Sequence, residues 1–149
     1  MGDINVNWSG TTTHTINVNN QTLTVNCDID LSDGTINHAI DLNIAAGVVT
    51  TSGSLVQTGG ANINFSAAGT LNIHDDFIHG IGTFTPGTGT VIYNCTDNQV
   101  IGDVNYNNLT ISKASGIATI DSIVNIAGNL LISSGELDNF SNTSIAGNV

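Results

Sequence analysis

Apolar and polar residues alternate along most of this chain in short runs. Leu71 and Ile73 alternate with Thr70 and Asn72, and Leu109 and Ile111 with Asn108 and Thr110. Ile16 and Val18 stand among Thr15, Asn17 and Asn19, and the pattern recurs at Leu23/Val25, Ile29/Leu31, Ile63/Phe65 and Val91/Tyr93. A period of two is the signature of strands with one buried face. Near residue 125 two registers compete, Ile123 with Asn125 against Val124 with Ile126. Between the runs stand "SDG", "AAG", "TGG", "PGTG" and "SSG". These are corners, where Gly supplies positive φ and Pro presets a turn. No segment sustains a 3.6-residue period with helix formers, and "SLVQTGGA" is too short and broken. The pattern predicts strands and essentially no helix.

The runs also repeat. "GTLNI" at Gly69 returns as "GTVIY" at Gly89, and "NLTI" at Asn108 returns as "NLLI" at Asn129. "NIAGN" at Asn125 returns as "SIAGN" at Ser144. A spacing that varies around ~20 residues describes coils whose corners accept insertions. Such a repeat holds two or three short strands, more than a hairpin needs. Asn-rich corners also suit amide ladders between stacked coils. The expected fold is all-β, a single-stranded right-handed parallel β-helix, the hand following that of parallel crossovers. About seven coils of roughly 20 residues, at the ~4.8 Å strand spacing, make a rod of roughly 35 Å. The alternative is an antiparallel β-sandwich. Inward positions on the solenoid reading are Leu71, Ile73, Val91, Tyr93, Leu109, Ile111, Leu130 and Ile132.

Composition narrows the partners. The chain has 149 residues, a net charge of −11 and a single cation, Lys113. Its polar surface must rest on amides and hydroxyls, supplied by 21 Asn and 19 Thr. Without clustered Lys and Arg, nucleic acid and anionic membrane surfaces are poor partners. No apolar run reaches the ~18 residues of a membrane-spanning helix. The start, "MGDINVNWSG", lacks the basic and apolar regions of a signal peptide. Residues 1–149 read as one solenoid domain, a fragment of a longer repeat protein.

The stretch "GTFTPGTGTVIYNCTDNQVIG", with "YNNLTISKASGIATI" and "VNIAGNLLISSGELDN" after it, resembles a known repeat. It is similar to the Asn/Thr/Gly-rich β-helical repeat of secreted and surface proteins of Bacteroidetes-type bacteria, over about Gly82 to Leu137. Departures fall at Cys95, where that repeat usually has Gly, and at Tyr93 and Tyr106, where Phe is common. The resemblance implies an extracellular stalk or adhesin-like module and transfers no catalytic residue. It also implies that Phe84, Val91 and Tyr93 face the core while "PGTG" turns a corner.

Candidate chemistry is sparse. In "HDDFIHG", His74 and Asp76 on one strand face, with His79, could converge on a metal; the competing reading is a solvated corner. "DIDLSDG" has one residue too many for an EF-hand loop and Ala39 where the closing Glu belongs. Asp75 and Asp76 are neighbours on one strand, which points them to opposite faces and spoils a two-carboxylate glycosidase. Thr50, Thr70, Thr90 and Thr110 fall 20 residues apart, a candidate outward ladder for ice or glycan, although Thr is also a good exposed strand residue. Tyr106 and Trp8 could stack on a sugar or belong to core and corners. Cys27 and Cys95, more than three coils apart, are too distant for a disulfide. Cys95, replacing a corner glycine, reads as a surface residue.

The expected function is therefore a non-enzymatic, extracellular structural or adhesive module without cofactors. Its partners are surface glycans or other proteins, with end-to-end self-association of the coils. The alternative is a ligand-binding solenoid face for glycan or ice, and third comes a polysaccharide-active enzyme.

Overall fold

A computed structural model describes residues 4–5, 13–32, 40–139 and 143–149. Trp8 and Ala39 lie outside them. The first coil comprises β1 (Ile4–Asn5), β2 (His14–Asn17) and β3 (Thr22–Val25). The second has β4 (Ile29–Ser32), β5 (Ile40–Asn43) and β6 (Val48–Thr51). The third has β7 (Leu55–Thr58), β8 (Asn62–Asn64) and β9 (Thr70–Ile73). The fourth has β10 (Phe77–His79), β11 (Thr83–Thr85) and β12 (Thr90–Tyr93). Then follow β13 (Gln99–Val100), β14 (Asn108–Ile120), β15 (Asn125–Ile126), β16 (Leu130–Asn139) and β17 (Ser144–Ile145). No helix occurs among the described residues.

Among the described residues every strand pairing is parallel, and strands stack on their counterparts one turn away. One face runs β1-β4-β7-β10, a second β2-β5-β8-β11, and a third β3-β6-β9-β12-β14-β16. The result is a β-solenoid of about five turns; the antiparallel sandwich is excluded. β14 and β16 run through a corner at Gly116 and Gly135, whose φ values of +73° and +87° favour glycine. Their second halves pair beyond that corner, Ile117 with Glu136 through Ile120 with Asn139.

The alternating residues build columns up the stack. On the third face, register places Leu23, Val49, Leu71, Val91, Leu109 and Leu130 above one another. Beside them stand Val25, Thr51, Ile73, Tyr93, Ile111 and Ile132. Each inward side chain buries itself only against the coils above and below, so stability is shared along the stack. Of the expected inward residues, seven are buried, but Ile132 is 43% exposed. It shares the column of Ile111, with no later coil described over it on this face. Phe84 is half-buried and packs edge-on or tilted against Phe65, Phe77 and Tyr106. The ambiguity near residue 125 resolves as Val124 and Ile126 inward, Ile123 outward.

Amides stitch the coils from outside. Asn43 Nδ2 donates to Asn17 Oδ1 at 3.0 Å and Asn64 Nδ2 to Asn43 Oδ1 at 3.1 Å, a ladder along the second face. Asn125 Nδ2 likewise donates to Asn105 Oδ1 at 3.0 Å.

The corner after the third face is closed from inside. Its turning backbone directs carbonyls into the interior, where each needs a donor. Thr51 Oγ1 donates to Cys27 O at 2.7 Å, Gln99 Nε2 to Ile73 O at 2.8 Å and to Asp75 O, and Lys113 Nζ to Asp97 O at 2.8 Å. Lys113 therefore extends the inward alternation of Leu109 and Ile111 and is fully buried. The same corner carries both cysteines, each two residues beyond a register partner: Cys27 after Val25 and Cys95 after Tyr93. Three register steps at ~4.8 Å separate them by about 14 Å, twice the reach of a disulfide. Cys95 is not on the surface as expected; it is buried, and its Sγ donates to Asp97 O at 2.9 Å. A residue following the inward Tyr93 at a spacing of two points inward too, glycine position or not.

Candidate functional site

The first face breaks where β10 should meet β13: β10 ends its ladder, and β13 pairs only with β14. The cause lies one layer deeper. Gly102 N–H donates to the Tyr93 hydroxyl at 3.0 Å, and the Tyr106 hydroxyl donates to Gly102 O at 2.8 Å. The two hydroxyls are 3.0 Å apart; since Tyr106 gives its proton to Gly102, Tyr93 is the donor between them. The phenols thus meet both backbone groups of Gly102, whose carbonyl also accepts Val104 N–H at 2.9 Å. Any side chain at Gly102 would run into the Phe77 ring. Burial pushes the phenols of both Tyr93 and Tyr106 well above the ordinary value. Tyr106 is therefore a core residue and no platform for a sugar.

The break leaves a cleft of about 270 Å³ between β10 and the 100–103 segment. Asp76, His79, Asp103, Asp121 and Ser122 supply its polar lining, and the exposed Ile78 and Val100 its apolar rim. Asp76 Oδ1 accepts Val100 N–H at 2.7 Å, which pins β13 over the corner. His79 Nδ1 lies 2.9 Å from Asp103 Oδ1, the carboxylate half exposed and the imidazole mostly buried. The other ring nitrogen, His79 Nε2, is buried without a partner. The Ser122 hydroxyl is also buried and unpartnered. Chemically this is an acceptor-rich recess with a carboxylate–imidazole pair at its edge.

Of the three candidate metal ligands, the cleft brings Asp76 and His79 together but leaves His74 out. His74 to Asp76 form a corner rather than a strand, so the residues do not alternate as expected. The His74 ring turns back, Nδ1 lying 2.9 Å from Thr51 O. Asp75 Oδ2 accepts the Ser54 hydroxyl at 3.0 Å, away from Asp76. Among the described residues no three His, Cys, Asp or Glu side chains converge as a metal would require. Asp103 and Asp121, from later coils, were invisible to local motif reading. The stretch weighed as a calcium loop runs instead into β4, with Ile29 and Leu31 buried; its last two residues, Asp33 and Gly34, lie outside the described residues.

The four threonines do not form one ladder. Thr70 and Thr90 are register partners, but Thr50 faces Asn72 and Thr110 faces Ile92. From Thr24 through Thr50, Asn72 and Ile92 to Thr110 the register steps are 26, 22, 20 and 18 residues. Equal spacing in sequence is therefore not equal register. The outer surface alternates Thr with Asn, Val and Ile rather than presenting a uniform row.

The chain matches no family model, no curated protein and no solved structure.

Proposed function

We propose that this chain is a non-catalytic structural or adhesive module of an extracellular protein, a stiff spacer that carries other parts of a longer chain. The observation behind this reading is the β3-β6-β9-β12-β14-β16 ladder, whose inward columns make each turn depend on its neighbours. A stack so built resists bending and presents amide-rich faces. The similarity of Gly82 to Leu137 to the repeat of Bacteroidetes-type surface proteins supports an extracellular, cell-surface setting. On this reading the solenoid is right-handed and has about seven coils, counting the partial turns opened by the corners of β14 and β16. Its partners are surface glycans or proteins, including further copies stacked end to end, and not nucleic acid or lipid.

A second reading, a ligand-binding face, is favoured by the β10–β13 cleft and its His79–Asp103 pair. One experiment separates the two: glycan-array binding and polysaccharide hydrolysis, run on the wild type and on His79→Ala. The structural reading expects no array signal that His79→Ala abolishes. Such a signal would move the function to the cleft, and release of sugar products would overturn both readings.

A further inference from the structure

The only Lys or Arg in the chain and one of its two cysteines are in contact. Lys113 Nζ lies 3.1 Å from Cys95 Sγ, and both side chains are buried. Nζ is held there by Cys95 O at 3.3 Å, Asp97 O at 2.8 Å and Gln99 Oε1 at 3.1 Å, none of them a carboxylate. Sγ is aimed in turn by its bond to Asp97 O at 2.9 Å. Corner closure needs a donor at this place, as Thr51 and Gln99 supply elsewhere; it does not need a primary amine against a thiol.

We propose that Cys95 and Lys113 are an oxidative cross-linking site, forming an S–N bond that staples two successive coils. A peroxide is the oxidant. Hydrogen peroxide converts the Cys95 thiol to a sulfenic acid and is reduced to water. The Lys113 ammonium gives a proton to solvent, and the amine lone pair attacks the sulfenyl sulfur. The S–O bond breaks, hydroxide leaves, and it takes up a second proton from nitrogen as water. Thiol and amine each lose one hydrogen, and one peroxide becomes two waters. Condensation of a sulfenic acid with nitrogen is established cysteine chemistry. Positioning favours it, since reacting groups already in contact need little ordering. The competing thiol, Cys27, is about 14 Å down the same corner at the strand spacing and cannot intercept. The bond would join the corner after β12 to β14, across 18 residues of chain.

The composition supplies a clean test. Trypsin cuts after Lys and Arg, and Lys113 is the only such residue. The folded wild type is treated with hydrogen peroxide, its thiols are blocked, and it is denatured and digested. The untreated chain should fall into two fragments. The oxidised chain should stay whole, weigh less by two hydrogens than the starting protein once the single blocking group on Cys27 is subtracted, and become cleavable again after dithiothreitol. Cys27→Ser should behave like the wild type, and Cys95→Ala should be cut whether or not it was oxidised. Full cleavage of the oxidised wild type, with Cys95 unchanged or carrying only added oxygens, would overturn the proposal. So would protection that survives in Cys95→Ala.

Discussion

The hydroxyl of Tyr93 sits 3.0 Å from that of Tyr106, and the pair bonds both the N–H and the carbonyl of Gly102. Both phenols are pushed upward from their ordinary 10.0, first by loss of solvent, which the hydrogen bonds of Tyr93 offset only in part. Below that value folded and unfolded chains hold the same phenolic protons, and the stabilisation is fully present. As pH rises through 10.0 the unfolded chain releases protons that the folded chain keeps, so stability falls. The slope should approach about 1.4 kcal/mol per pH unit for each tyrosine. Urea midpoints followed from neutral into strongly alkaline solution should show this loss, with Tyr106→Phe roughly halving the slope. A flat profile would mean that the hydroxyls are not sealed from water.

Replacing Lys113 by Met keeps the volume and removes the donor. Cys95 O, Asp97 O and Gln99 Oε1 would then lose a shared partner in a buried corner. A buried acceptor left unsatisfied costs about 1–3 kcal/mol, so Lys113→Met should lose at least that much in chemical denaturation. An exposed lysine would lose almost nothing, which makes the measurement a direct test of its burial.

Strand positions were readable because burial on one face imposes a period of two, as at Leu71/Ile73 and Leu109/Ile111. Register was not readable, because corners differ in length and carry no periodic mark. Thr50 and Thr70 therefore look equivalent in the sequence and stand in different columns. The cleft was half legible: Asp76 and His79 belong to one conspicuous phrase, but Asp103 and Asp121 reach it only through stacking. Cys95 was misjudged because a glycine position in a corner was read as a surface one, and nothing in the sequence marked Lys113 for burial. A lone charge normally stays in water, and only the inward carbonyls of a corner make its burial tolerable.

Chelation gives a third measurement. His74 turns to Thr51 O, Asp76 holds Val100 N–H, and His79 pairs with Asp103. Each is engaged separately, so EDTA should leave the melting temperature unchanged. A drop of several degrees that zinc or calcium restores would require these side chains to regroup.

Leu109 and Ile132 belong to the near-identical phrases "NLTI" and "NLLI", yet their surroundings differ. Leu109 is fully buried, with Val91 below it and Leu130 above it in register. Leu109→Ala should leave a cavity in mid-stack and cost about 2–5 kcal/mol. Ile132 sits on the last described coil of this face and is 43% exposed. Part of its surface meets solvent already, so truncation removes fewer contacts and opens no closed void. Ile132→Ala should fall well below that range, within about 1 kcal/mol. The comparison sets a position covered by a later coil against one that is not, in neighbouring inward columns of the same face. If the two substitutions cost the same, the inward columns would not be stabilised by stacking, and the interdependence of turns along the ladder would fail with them.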